Sequence, residues 1–246
     1  MPADSLSLLL KHADAQSLGT IDAHCHLDKL TFAREYARDA AQAHVELFAM
    51  SCTPQIYQAN QHRFCNYDHI KLGLGLHPWD VCPDELEAHM AAFMEKLPST
   101  RLVGEVGLDF SPRRVATRSA QLQAFRLIAQ ACAHEGGKVL SLHAVHAASD
   151  VLDILEETGC IHTCTCIFHW FSGSSDELNR ARKAHCYFSV NERMLESKRG
   201  EAYVKALPPQ LVLLETDCYP NGAESFGAQH QQLRLVKRRI EALRAQ

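Results

Sequence analysis

Short apolar, strand-like runs alternate with helical stretches along nearly the whole of this chain, and histidines and carboxylates recur where those runs stop. The runs cover residues 20–26, 45–51, 70–76, 102–106, 138–143, 163–169, 186–190 and 211–215. Helical patterns follow each of them. The stretch 32–43 is rich in alanine, and Thr53-Pro54 reads as an N-cap followed by proline at the first helical position. Residues 83–97 open with Pro, Asp and Glu, and 121–135 are stopped by Gly136-Gly137. Further helices are expected over 150–158, from the capping box Ser174-Ser-Asp-Glu177 to Lys183, over 200–206 and over 229–243. Eight strand-then-helix units in 246 residues predict an α/β chain, a single-domain (β/α)8 TIM barrel, with residues 1–19 as an N-terminal extension. An open doubly wound sheet is the structural alternative, but no Gly-x-Gly-x-x-Gly follows the first run.

A formal net charge of −4 argues against a broad basic surface for holding long nucleic acid, although a nucleic-acid end or a nucleotide can still meet a cationic centre. There is no run of 18 apolar residues, so no membrane span is expected. The segment Ser5-Leu-Ser-Leu-Leu-Leu10 is too short for a signal sequence and no basic residue precedes it. The ten cysteines then read as reduced thiols of a cytoplasmic protein. A zinc knuckle over Cys160-Ile-His162-Thr-Cys164-Thr-Cys166 is the rival reading. Its donors are too crowded for two separated Cys-x-x-Cys pairs.

In a barrel the reacting groups stand at the C-terminal ends of the strands. There the sequence places His24 and His26, Glu105, His143, His169 and Asp217. His24 and His26 are two apart on a strand, so both face one side and can share a cation. Glu105 has two oxygens and can bridge two cations, with His143 and His169 supplying nitrogens to the second. Asp217 completes the first centre and can take a proton from water. One or two divalent metal ions are therefore expected: zinc or manganese by ligand softness, or magnesium where a phosphoryl substrate adds oxygens. Paired cations of this kind stabilise attacking and leaving oxygens in a displacement at phosphorus.

At these residues the chain resembles the TatD-like metal-dependent hydrolases. The motifs are Asp22-Ala-His24-Cys-His26-Leu-Asp28, Gly75-Leu-His77-Pro78, Gly104-Glu105-Val-Gly-Leu-Asp109, Phe168-His169-Trp-Phe-Ser-Gly173 and Glu215-Thr-Asp217. They run in order from about residue 21 to residue 219. The resemblance implies a barrel with a one- or two-metal site and phosphodiesterase activity, often as a DNase. It carries the ligand roles onto His24, His26, Glu105, His143, His169 and Asp217, with Glu105 and Asp217 catalytic, and it gives His77 a contact to substrate phosphate. The stretch from Phe188 to Leu195 looks like a variant branch, some members of which sit in bacterial antiviral gene clusters. That implies protein partners in a multi-component system.

The chain departs from the pattern in two places. The family has an arginine two residues after the strand-five histidine, where this chain has His143-Ala144-Val145-His146; His146 is a candidate partial substitute, and reads otherwise as an ordinary helix-start histidine. After Asp217 the family has a longer proline-rich loop, where this chain has Cys218-Tyr219-Pro220-Asn221-Gly222, and the family's usual final helical segment is not expected here. Trp170 is placed as a base-stacking, substrate-binding residue, with Trp79 as the other candidate. Asp22 and Asp109 are candidates to orient ligands, while Asp22 and Asp28 read equally well as solvated or capping carboxylates. The basic run Arg234, Lys237, Arg238, Arg239 and Arg244 has apolar partners at helical spacing, so it reads as the wet face of an outer helix.

The function these readings favour is metal-dependent hydrolysis of phosphodiesters, in DNA ends or short nucleotides. An amidohydrolase acting on a cyclic amide or ester is the enzymatic alternative. Many such barrels use a modified lysine at the end of strand four, where this chain has Glu105. A metal-binding accessory subunit with little turnover is the non-enzymatic one.

Overall fold

The structure, a computed structural model, describes Leu6 and residues 21–217 and 225–245. Leu6 apart, the expected N-terminal extension and Thr20 lie outside the described residues, as do Cys218, Tyr219, Pro220, Asn221 and Gly222. Eight strands are present: β1 (Ile21–Cys25), β2 (Glu46–Met50), β3 (Ile70–Gly73), β4 (Leu102–Asp109), β5 (Val139–Val145), β6 (Thr165–His169), β7 (Tyr187–Val190) and β8 (Val212–Leu214). The helices between and after them are α1 (Ala33–Gln42), α2 (Pro54–Phe64), α3 (Leu86–Lys96), α4 (Arg118–Glu135), α5 (Ala148–Glu157), α6 (Cys160–Thr163), α7 (Ser175–Lys183), α8 (Glu192–Leu195), α9 (Lys198–Ala206) and α10 (Phe226–Arg244).

All strand pairs are parallel, in the orders β1-β2-β3 and β4-β5-β6-β7-β8. Two seams join these sheets into a barrel. Between β3 and β4, Leu74 N–H donates to Leu102 O (3.0 Å) and Gly104 N–H to Leu74 O (2.9 Å). Between β8 and β1, Asp217 N–H donates to His24 O at 2.9 Å and Thr216 N–H to Asp22 Oδ1 at 2.9 Å.

Strand alternation divides the barrel interior along its axis. β5 points Val139, Ser141 and His143 inward, β6 Ile167 and His169, and β8 Leu213 with Glu215 just beyond its end. The N-terminal half is thus apolar, a buried cluster of Ile21, Phe48, Met50, Val139, Ile167 and Leu213 into which Leu6 also packs. The C-terminal half is polar. A second core fills the space between strands and helices, with Phe93, Phe125, Ile128, Leu152, Phe168 and Phe188 fully buried.

The expected elements are present, with shifted ends. The helix expected over 83–97 begins as a 3-10 turn, Pro83–Glu85, before α3. The strand expected over 163–169 starts late, because Cys160–Thr163 forms the single turn α6. β4 and β5 run past Val106 and His143 to pair as far as Asp109 with Val145. Gly107 permits this: its φ is +136°, and a Cβ there would meet His143 O at 2.1 Å. Gly75 is required for a similar reason, since a Cβ would lie 1.9 Å from Ser51 O. Glu105 and His143 therefore lie within their strands, not at the ends.

Ser174 caps α7 as expected: its Oγ accepts from Glu177 N–H at 3.3 Å, and Glu177 Oε2 accepts from Ser174 N–H at 2.6 Å. Ser174→Ala is expected to cost about 1 kcal/mol of stability, read as a lower urea midpoint at unchanged slope.

The nine described cysteines are all free, and all but Cys65 and Cys82 are buried. A hydrogen bond with Cys160 and burial push the Cys164 thiol upward. The groups of described residues spaced to hold a cation contain no cysteine, so the zinc-knuckle alternative fails. On α10, Leu233, Val236 and Ile240 are buried, Arg239 pairs with Glu201 at 3.0 Å, and Arg244 donates to Val204 O and Leu207 O. This basic run is the outer face of a packed helix. No helix among the described residues is long and apolar enough to cross a membrane.

Candidate metal centre

The six residues expected to hold metal come from five strands and converge at the polar end of the barrel. Glu105 is at their centre, 3% exposed. Its two oxygens face different partners. Oε2 is 3.5 Å from His24 Nε2 and 3.3 Å from His26 Nε2. Oε1 is 2.6 Å from His143 Nδ1 and 2.9 Å from His169 Nε2. Asp217 belongs to the first set, with Oδ1 3.9 Å from His24 Nε2 and 3.7 Å from His26 Nε2.

The donor chemistry fits cations. His24 Nε2 and His26 Nε2 are 3.2 Å apart, although both are buried nitrogens. His143 Nε2 is 3.2 Å from Asp109 Oδ2, and a carboxylate only accepts, so Nε2 carries the hydrogen. Nδ1 then turns a lone pair toward Glu105 Oε1 at 2.6 Å. Two lone pairs that close need a proton or a cation between them. Donors about 2.0–2.2 Å from a tetrahedral cation lie roughly 3.3–3.6 Å from one another. The first set spans 3.2–3.9 Å. The second spans 2.6–3.4 Å.

Electrostatics show the same crowding. Burial opposes the carboxylate charge of Glu105, but the surrounding histidines hold its pKa well below the ordinary range. Burial also disfavours charge on His26, His143 and His169. For His26 the contacts with Cys52 and Glu105 outweigh it, for His143 those with Asp109 and Glu105, and for His169 those with Glu105 and Glu215, so all three are raised. His24 goes the other way, lowered by burial and by the neighbouring His169. Burial, with Glu215 and Glu105 nearby, pushes Asp217 up to about 6.

Surrounding residues aim the ligands. Ser141 Oγ is 2.8 Å from His24 Nδ1. Asp109 turns His143, and is itself held by Trp79 Nε1–H at 2.6 Å and Ser111 N–H at 2.8 Å. Asp109, a candidate to orient a ligand, thus does so for His143. Asp22, fully buried, accepts from Thr216 N–H and Oγ1–H at 2.9 and 2.6 Å. It thereby anchors the turn before Asp217, which has φ +45°. Glu215 lies 3.6 Å from His169 Nδ1 and accepts from Ser189 and Asn191. Asp28 stands apart, 3.7 Å from Lys29. Motif spacing assigns no role to Ser141, Ser189 or Asn191, and it shows Glu215 only as part of Glu215-Thr-Asp217. Ser141 carries a signal of its own, two residues before His143 on the same side of a strand.

His77 is grouped by distance with Glu105 and His143, but its tautomer gives it a different role. Nδ1 accepts from Trp79 N–H at 3.0 Å, so the neutral ring carries its hydrogen on Nε2, 3.1 Å from Glu105 Oε1. Neither nitrogen has a lone pair free to bind a cation. His77 is a hydrogen-bond donor aimed at the centre.

The centre opens into a cavity of about 630 Å3 lined by His77, Trp79, His143, Val145, Trp170 and Arg193 among others. Both tryptophans reach it. His146 does not line it; it is exposed with φ +52°, so it replaces no arginine.

A family profile described as TatD related DNase matches residues 21–245. Deoxyribonuclease TATDN3 of Homo sapiens is 25% identical over 226 residues, covering 85% of this chain and 81% of that protein. The 3'-5' ssDNA/RNA exonuclease TatD of Edwardsiella piscicida is 31% identical over 150 residues, covering 58% of this chain and 55% of that protein. The crystal structure of YJJV, a TATD homolog from Escherichia coli k12, superimposes with a TM-score of 0.71 at 22% identity, over 93% of this chain and 92% of that one. With this profile spanning nearly the whole barrel, the chain belongs to the TatD-related DNase family and is a metal-dependent hydrolase.

Proposed function

We propose that this chain hydrolyses phosphodiester bonds at single-stranded DNA ends or in short nucleotides, using two divalent cations held on either side of Glu105. The observation that carries the reading is the division of the Glu105 oxygens between two histidine pairs. His24, His26, Glu105 and Asp217 would hold one cation, and Glu105, His143 and His169 the other. Four imidazoles with two carboxylates suit zinc or manganese. Bound there, the cations would acidify a water and offset charge at the scissile phosphate.

The chain's own residues do the rest. Asp217, which borders the cavity, accepts the proton of the attacking water. His77 directs Nε2–H at a phosphate oxygen. Asp109 and Ser141 hold two ligand rings in one tautomer. Trp170 offers a base a stacking face. The cavity falls within the roughly 300–1,000 Å3 of small-ligand sites, which suits a few nucleotides better than a duplex. The names of the human and Edwardsiella relatives, a deoxyribonuclease and a single-strand exonuclease, support the same reading.

The test is metal content of the purified protein, followed by turnover on labelled single strands, duplexes, dinucleotides and cyclic amides. Single strands and short phosphodiesters are expected to be cleaved, and cyclic amides not. Affinity for long duplex DNA should be weak. Substrate binding should vanish with a chelator and vary little with salt, because few phosphates are neutralised by side chains. Tight duplex binding that survives chelation and falls steeply with salt would defeat the reading.

A further inference from the structure

The cavity wall beyond the ligands contains one permanently cationic side chain among the described residues. Arg193, on α8 after β7, lines the cavity, and the lining includes no lysine and no other arginine. Its guanidinium carbon is 5.6 Å from the centre of the Trp170 ring, which also lines the cavity. Among the described residues Arg193 has no ion pair and its side chain no hydrogen bond. Arg118, Arg126, Arg180 and Arg239 are neutralised by Asp150, Glu157, Asp153 with Glu156, and Glu201. Arg114 has no ion pair among the described residues and lies over the Trp79 ring at 4.4 Å, but it does not line the cavity as Arg193 does. An uncompensated guanidinium beside an aromatic face, at the edge of a site built for a phosphoester, has its donors free for an anion. Across the lining, the wall formed by Ala144 and Val145 offers no charge.

We propose that Arg193 and Trp170 together form a nucleotide-specificity element: the guanidinium grips the phosphate next to the scissile one while the indole stacks on the attached base. The proposal rests on the phosphodiesterase reading above and adds which part of the substrate is recognised. A guanidinium over an indole is held by cation–π attraction and still presents its edge N–H groups outward. One phosphate and one base read together would select nucleotides over other phosphodiesters, and an extra phosphate over a terminal hydroxyl.

The chain has two tryptophans, Trp79 and Trp170, and both line the cavity, so tryptophan fluorescence, excited at the red edge where the tyrosines do not absorb, reports on this pocket. The experiment titrates the full-length, metal-loaded protein with thymidine, thymidine 5'-monophosphate and thymidine 3',5'-bisphosphate, and repeats the series in chelator. In the W79F background Trp170 is the sole tryptophan; because Trp79 holds Asp109, the metal content of this background is matched to wild type before titration. Quenching is expected with all three probes, tightest with the bisphosphate. Arg193→Ala should weaken bisphosphate binding about tenfold and thymidine binding less than twofold. Arg193→Lys should recover part of the loss, as a charge without the fork. Arg234→Ala, on the outer face of α10, should change none of these affinities.

Unchanged bisphosphate affinity in Arg193→Ala would overturn the proposal. So would an equal loss for thymidine and the bisphosphate, which would make Arg193 a packing partner of Trp170 only. Quenching confined to Trp79 would remove Trp170. Failure of the underlying reading looks different: the wild-type chain would cleave no phosphodiester, yet still bind the bisphosphate in an Arg193-dependent way.

Discussion

Replacing Glu105 by glutamine is expected to strip bound divalent metal and reduce hydrolysis by on the order of 10³-fold or more. That exceeds the roughly 10–100-fold typical of losing a residue that merely supports a ligand. The carboxylate is the one group that both histidine pairs share, with Oε2 3.3 Å from His26 and Oε1 2.6 Å from His143. Glutamine keeps the shape but has one acceptor oxygen and no charge. Its amide NH2 would face one of the two pairs and serve no cation there. Folding should survive, because the substitution is isosteric and the core beneath it is apolar. A cooperative thermal transition and unchanged circular dichroism would show this. Elemental analysis separates loss of one cation from loss of both, and full turnover with undiminished metal would rule out the bridging role.

Asp217→Asn is expected to lower kcat by about 10²–10⁴-fold, the range typical of losing a general base, with a much smaller change in KM. The carboxylate is the most loosely held of the site, with its nearest imidazole 3.7 Å away, and it borders the open cavity. It thus stands where a water entering from the cavity can reach it. Asparagine retains an oxygen for coordination and the positive φ, which Asn tolerates as Asp does. The variant should therefore keep more metal than Glu105→Gln. Steady-state kinetics with metal assayed in parallel tests this. A kcat equal to wild type would exclude Asp217 as proton acceptor.

These two residues also show how much could be read without coordinates. The alternation of apolar runs and helical stretches is a local property of the chain, so the sequence by itself determined the eight strand-helix units. It also placed Glu105, His143 and His169 on the fourth, fifth and sixth buried runs and Asp217 after the eighth. The caps at Thr53 and Ser174 were legible for the same reason, since a cap depends on residues within one turn. Periodicity does not specify where a strand stops when a glycine can continue the ladder. β4 therefore runs on through Gly107 to Asp109, and it is this extension that brings Asp109 to His143.

Only the tertiary structure decided which atom meets which. The division of the Glu105 oxygens depends on closure at the two seams, and so on hydrogen bonds between residues far apart in sequence, such as Asp22 with Thr216. The donor role of His77 is set by one backbone N–H on its Nδ1, a contact that motif spacing does not encode. The place of Arg193 is likewise invisible along the chain, where it is an ordinary charge between a glutamate and a methionine. Barrel closure turns it toward the same cavity as His143, whose own strand brings Ala144 and Val145 to the cavity wall. Chain order dictates the pattern of burial, but the convergence of side chains from five strands depends on how closely packed layers register against one another.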